Sequence, residues 1–227
     1  MSNFFFILSK LNSGFSLFRV FQLVEFRKIK IKNKKLADLG SLPNKKHNIS
    51  YSKNFKNITY FNLRVENKQQ IKNTVLLNFE KINYKIAKNY KSKFDKVFIF
   101  NLLEHIKNYK KPILFSKTIL KKNGELIGST PFLFRIHPSP KDYFRFTEML
   151  LREELQEVGF KNIKITPLGT GIFSMIINSL IGYNKYIPFI NSLIYVLGYS
   201  LDMSLSIISN KNKITFPIGY FFRATKK

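Results

Sequence analysis

The chain has 227 residues, enough for one large domain with a full core, and 44% of them are hydrophobic, with 24 phenylalanines. There is no cysteine, which excludes disulfides and cysteine-based metal or nucleophile sites and suits a reducing cytoplasm. The formal charge of +26 favours anionic partners, but the lysines are scattered and form no arginine-rich or aromatic-interleaved tract, which argues against nucleic acid.

In chain order, the amino terminus is apolar from Phe4 to Leu8, with no basic residue before that run and Lys10 ending it. It is therefore not read as a secretory signal. The spacing predicts a helix over Phe15–Phe26, with Phe15, Phe18, Val20, Phe21 and Val24 near one face. Two readings fit that face: packing on the domain, or an amphipathic lid at a membrane surface. Residues 1–32 thus form a helical and basic extension. After a basic stretch, LADLGSLP (36–43) reads as a buried strand opening into a loop. A helical or irregular segment (His47–Lys56) and a second strand (57–65) follow, and then TVLLNFEKI (74–82).

The run FDKVFIFNLL (94–103) has the near-continuous apolar character of a parallel strand covered on both faces. A helix is expected from Tyr109 to Leu120, stopped by Asn123 and Gly124, and a buried strand over 125–134. Thr147 is placed to cap a helix running to Val158, with Gly159 just past its end. Strands follow at 161–168 and 214–226. From Ile165 to Leu201 the only charge is Lys185. Pro188, Gly182 and Gly198 divide that segment into two short apolar helices joined at GYNKY (182–186), neither long enough to span a bilayer. This insertion, at about 170–210, either caps the sheet and its pocket or lies at a membrane face.

Alternating strands and helices imply a parallel sheet with helices on both faces, and ligands in such folds sit beyond the carboxyl ends of the strands. The residues there are Asp38 and Gly40, Asn62, Asn101–His105 and Pro131–Arg145. The three histidines, His47, His105 and His137, are dispersed along the chain and suggest no metal site.

An ordered set of motifs occupies these positions: Phe94-Asp95, Leu103-Glu104-His105-Ile106, Leu120-Lys121-Lys122-Asn123-Gly124, Pro131-Phe132, HPSPKDYFRFT (137–147) and EVGFKNIKI (157–165). The set resembles the small-molecule, type 11-like branch of the class I S-adenosylmethionine-dependent methyltransferases, over roughly residues 33–168 and 214–226. The resemblance implies an α/β fold, a Rossmann-like three-layer sandwich over 33–227 with a mostly parallel seven-stranded sheet and an antiparallel last strand. It implies S-adenosyl-L-methionine as cofactor and methyl transfer to a small-molecule acceptor, anionic or linked to a sugar or lipid. The expected cofactor-binding residues are Asp38, Gly40, Ser41, Asn62, Asn78, Phe79, Asn101, Leu103 and His105.

The glycine loop departs from the family pattern. Leu42 stands where a second glycine is usual, at a cost of about 1–2 kcal/mol if the position needs positive φ. Asn62 replaces the usual ribose-binding carboxylate, and Asn78 an adenine-contacting acid. His137 is the candidate general base, with Asp142 to orient it and Tyr143 and Arg145 to bind an anionic acceptor. The same loop can also be read structurally, with Asp142 and Arg145 paired to each other. The alternative to an active enzyme is a catalytically inactive relative that binds a membrane or a partner, peripheral to the inner face of a membrane.

Overall fold

The computed structural model describes residues 2–31, 34–42, 57–64, 73–82, 84–181, 188–209 and 211–227. His47, the segment His47–Lys56 and the GYNKY junction lie outside the described residues.

Seven strands form one sheet: β1 (Leu36–Leu39), β2 (Ile58–Asn62), β3 (Thr74–Leu76), β4 (Phe94–Phe100), β5 (Leu120–Pro131), β6 (Phe160–Leu168) and β7 (Gly219–Lys226). Their order is β3-β2-β1-β4-β5-β7-β6. The β3–β2, β2–β1, β1–β4 and β4–β5 pairs are parallel, and β7 is antiparallel. With flanking helices, this is the Rossmann-like α/β arrangement expected. Parallel register puts the ends of β1, β2, β3 and β4 on one rim, since Leu39 pairs with both Phe61 and Ile99, and Asn62 with Leu76. Val97, Phe98 and Ile99 are fully buried, as their apolar run requires.

By contacts the chain divides into two units: Lys30–Thr130, His137–Ile165 and Phe222–Lys227 form one, and Met1–Ile29, Pro131–Ile136 and Thr166–Phe221 the other. The first holds most of the sheet with α3 (Tyr84–Asn89), α4 (Lys110–Ile119) and α5 (Glu148–Glu157). Here α5 begins as expected, with Thr147 Oγ1 accepting the Leu150 amide at 3.2 Å. The helix expected over Tyr109–Leu120 runs from Lys110 to Ile119, but KKNG, expected to stop it in a turn, lies inside β5. Phe94 pairs with Leu120 while Lys96 pairs with Glu125, so Lys121–Gly124 bulge from the ladder, with Asn123 at φ 60°. The turn signal was real but sits in a bulge rather than at a helix end. Asp95, the acid of the Phe-Asp motif, ties this region together: its oxygens accept the Lys35 amide at 2.8 Å and Lys121 Nζ at 2.9 Å.

The second unit contains α1 (Asn3–Asn12), α2 (Leu17–Arg27), α6 (Ile172–Ile181), α7 (Pro188–Ile208) and α8 (Asn212–Thr215). The helix expected at Phe15–Phe26 is α2, with Ser16 as its cap, and every residue of it but Arg19, Glu25 and Arg27 is buried. That burial excludes the lid reading for α2. The rest of the helical extension is a separate helix, α1, and not a continuation of the one expected at Phe15–Phe26.

The apolar insertion also differs from expectation. It holds one ten-residue and one 21-residue helix, and Ile190–Ile208 is long and apolar enough to cross a membrane by length and composition. Pro188 opens α7, where its missing amide costs nothing. Gly198 does not break the helix. A Cβ there would lie 1.9 Å from Ile177 Cδ1, so the glycine lets α6 pack against α7. The buried face of α7 is polar in places. Asp202 accepts from the Phe173 and Ser174 amides, Thr170 Oγ1 and Asn212 Nδ2 at 2.7–3.2 Å, which caps α6 and binds α8. The strand expected over 214–226 starts only at Gly219, after α8.

Candidate functional site

Four of the segments expected to hold a cofactor end on the rim described above. At the end of β1, Gly40 has φ 90° and its amide donates to the Phe61 carbonyl at 2.8 Å. A Cβ there would meet Leu102 Cδ1 at 2.9 Å, so the turn requires glycine both for its conformation and for the approach of Leu102. Asp38 is buried within β1, Ser41 is half-buried, and Leu42 is buried at 5% exposure. Among the described residues the non-glycine positions with positive φ are Ser92, Asn101, Asn123 and Asn162. The strain anticipated at Leu42 is therefore not there; the loop takes a conformation that leucine tolerates.

At the end of β2, Asn62 Nδ2 donates to the Gly40 carbonyl at 3.0 Å, which fixes its amide beside the glycine turn. Asn78 is exposed, and its Oδ1 accepts the Glu80 amide at 2.9 Å, capping the 3₁₀ turn Phe79–Lys81. Phe79 is buried at 4% exposure. The Glu80 carboxylate accepts the Lys107 amide at 2.6 Å, tying this turn to the segment after β4. At the end of β4, Asn101 adopts φ 51° and its Oδ1 accepts from Ser129 Oγ at 2.9 Å. Leu103 is fully buried in the 3₁₀ turn Leu103–His105.

The glycine turn at Gly40, packed against Leu102, and the Asn62 amide held beside it are of a kind that suits the cofactor the motifs imply. The fit is looser than with a carboxylate, because a neutral acceptor loses a charge-assisted bond, worth about 1–2 kcal/mol.

The loop 137–147 is fastened onto the β4 turn. The Tyr143 amide donates to the Glu104 carbonyl at 2.7 Å, and His105 Nδ1 donates to the Lys141 carbonyl at 2.6 Å. Asp142 is the loop's anchor. Its carboxylate accepts Arg145 Nη1 and Nη2 at 2.5 and 2.7 Å and the His137 amide at 2.9 Å. The Arg145 hydrogen bonds hold the Asp142 carboxyl well below the usual carboxylate range. The structural pairing of Asp142 with Arg145 is thus present, and it also sets His137 Nδ1 3.4 Å from Asp142 Oδ2.

One sequence-level expectation is corrected here. His105 and His137 are not dispersed: their rings meet edge to face with centroids 5.0 Å apart. Glu104, which the site reading left out, is fully buried between them, with Oε1 3.9 Å from His105 Nε2 and 4.0 Å from His137 Nε2. Burial lowers the pKa of His105 and favours its neutral form. The only sequence signal for this meeting was that both segments follow strand ends of one parallel sheet.

The fold is that of the class I S-adenosylmethionine-dependent methyltransferases. Among solved structures the chain is similar to a SAM-dependent methyltransferase from Archaeoglobus fulgidus, with 15% identity, TM-score 0.59, and 90% of this chain and 91% of that one covered. It is also similar to phosphoethanolamine N-methyltransferase 2 of Haemonchus contortus in complex with S-adenosyl-L-methionine (15%, 0.56, 90% and 52%). A third similar structure is the [4+2]-cyclase SpnF (13%, 0.54, 92% and 80%). No protein-family model and no curated sequence matches the chain. The likeness establishes the fold; the cyclase shows that this fold is not tied to one reaction.

Proposed function

We propose that the protein is an S-adenosylmethionine-dependent methyltransferase acting on a small-molecule acceptor. The observation that supports this reading most is the fastening of the 137–147 loop onto the turn that follows β4, which sets His137 and its carboxylate partner Asp142 beside Glu104 and His105. Asp38, Gly40 and Ser41 would receive the methionine portion of the cofactor, Asn62 the ribose, Asn78 and Phe79 the adenine, and Asn101, Leu103 and His105 the turn beside it. The cofactor supplies a methyl group on a sulfonium, which leaves as a neutral thioether once an acceptor lone pair takes the methyl.

The protein's work is then alignment and proton removal. In this reading Asp142 orients His137 through Nδ1, and Nε2, which faces Glu104 Oε1 at 4.0 Å, would accept the acceptor's proton. Arg145 holds Asp142 in place, and in this reading Tyr143 and Arg145 would meet an anionic acceptor. Calorimetry with S-adenosylmethionine tests the reading. Saturable binding tighter than about millimolar is expected, and weaker binding by folded protein would overturn it.

A second reading has its own support. Leu193, Leu197 and Leu201 recur every fourth residue along α7 and are exposed, as are Ile207 and Ile208. With a charge of +26, this stripe would suit an anionic membrane surface, and in that reading the protein is cytoplasmic and peripheral to the inner face of a membrane. Flotation with anionic vesicles should recover the native chain and lose a variant with Leu193, Leu197 and Leu201 all changed to serine. Equal recovery of the two would remove that surface from consideration.

A further inference from the structure

Glu104, His105 and His137 bring one carboxylate oxygen and two imidazole nitrogens to a common point. Glu104 Oε1 faces Nε2 of both histidines at 3.9 and 4.0 Å, and a donor atom from each residue lies within 4.8 Å of the others. The orientation of each ring is set from behind. A carbonyl oxygen can only accept, so the 2.6 Å contact to Lys141 places the proton of neutral His105 on Nδ1 and the lone pair on Nε2. His137 turns its Nδ1 toward Asp142, itself fixed by Arg145 and by the His137 amide. Imidazoles backed by a carbonyl and a carboxylate, with both Nε2 atoms aimed at one carboxylate, form the outer arrangement that orients metal ligands.

We propose that Glu104, His105 and His137 form a three-donor site for a divalent transition-metal cation of the zinc class. Two imidazoles and one carboxylate favour Zn²⁺ or Co²⁺ over Mg²⁺ or Ca²⁺, which prefer oxygen alone. Donors about 2.1 Å from a tetrahedral zinc lie about 3.4 Å apart. The two measured pairs therefore have to close by about half an ångström. His137 can supply that movement, because its side chain is 30% exposed, whereas His105 is 9% exposed and Glu104 fully enclosed. The same exposure makes the His137 side the cation's route in and the place for a fourth ligand, such as water or an acceptor oxygen. A bound cation takes the lone pair by which His137 would accept a proton, so occupancy exchanges base catalysis for Lewis-acid assistance.

The test uses the full chain, stripped with chelator and without S-adenosylmethionine, so that its outcome is separate from that of the cofactor titration. Co²⁺ is added while the visible d–d absorption is followed, and Zn²⁺ is then used in competition. One equivalent of Co²⁺ should bind and be displaced by Zn²⁺, with no displacement by Mg²⁺ at the same concentration. His137→Gln and His105→Gln should each weaken binding at least about tenfold, and Asp142→Asn about tenfold through loss of orientation. Circular dichroism and thermal unfolding confirm that each variant is folded. Because His137 is the most exposed ligand, its variant is the decisive one. Absence of saturable binding, or binding that survives His137→Gln in folded protein, would each overturn the proposal.

Discussion

Replacing Asp142 with asparagine is the sharpest probe of the 137–147 loop. The side chain is 3% exposed and takes three hydrogen bonds, two from Arg145 and one from the His137 amide. Bonds to a charged group contribute about 1.5–3 kcal/mol each, which sets an upper sum near 4.5 kcal/mol even at the low end. Two features reduce it. The asparagine oxygen still accepts one donor, and Arg145, 25% exposed, regains water when released. The expected loss of unfolding free energy is about 2–3 kcal/mol. Urea unfolding of D142N, Arg145→Gln and the double variant, all in chelator, measures it. The cycle should give a coupling of about 1–2 kcal/mol. A loss under about 0.5 kcal/mol for D142N, or coupling within about 0.3 kcal/mol of zero, would refute the claim that this pair holds the loop.

Asp95 offers a pH-dependent counterpart. Burial alone would push its pKa up, but hydrogen bonds from Lys121 and the Lys35 amide, with the lysine charges, outweigh it and leave the folded pKa lowered. A lowered folded pKa gives stability that is present above the unfolded value of about 3.9 and lost as pH falls through the folded value. Asp95→Asn should therefore cost about 1 kcal/mol at pH 7, a figure reduced for the exposure of Lys121, and the gap to the native chain should narrow in acid; a gap constant down to pH 2 would contradict this. Asp202→Ala removes the acceptor of four donors and should cost about 3 kcal/mol, with amide exchange accelerated first at Phe173 and Ser174. Unchanged exchange at those two amides would show that Asp202 does not cap α6.

What the sequence made legible follows from how local each signal is. The run from Phe94 to Phe100 declares itself because a strand buried on both faces must be apolar throughout, and the Thr147 cap because its partner is three residues away. The helical character of residues 1–32 was legible, but the separate helix α1 was not. Ser2 makes no side-chain cap, and the helix is held by distant partners, with Phe4 against Tyr199 and Asn12 accepting from Ser192. Gly198 misled for the same reason: only the position of Ile177 shows why the glycine is there. The rim positions could be read because parallel register alone aligns strand ends. The Glu104–His105–His137 cluster could not, because it depends on two bonds between loops, Tyr143 to Glu104 and His105 to Lys141, that no periodicity announces.

Those two bonds give Glu104 and His105 a double task. Glu104 holds the loop with its backbone carbonyl and faces both imidazoles with its carboxylate, while His105 spends Nδ1 on the loop and turns Nε2 inward. The attachment of the loop and the aim of the donors are therefore one arrangement. A substitution that loosens residues 141–143 should disturb His105 before it disturbs the sheet, and the motif HPSPKDYFRFT acts on the site through its backbone as much as through the side chains that first drew attention to it.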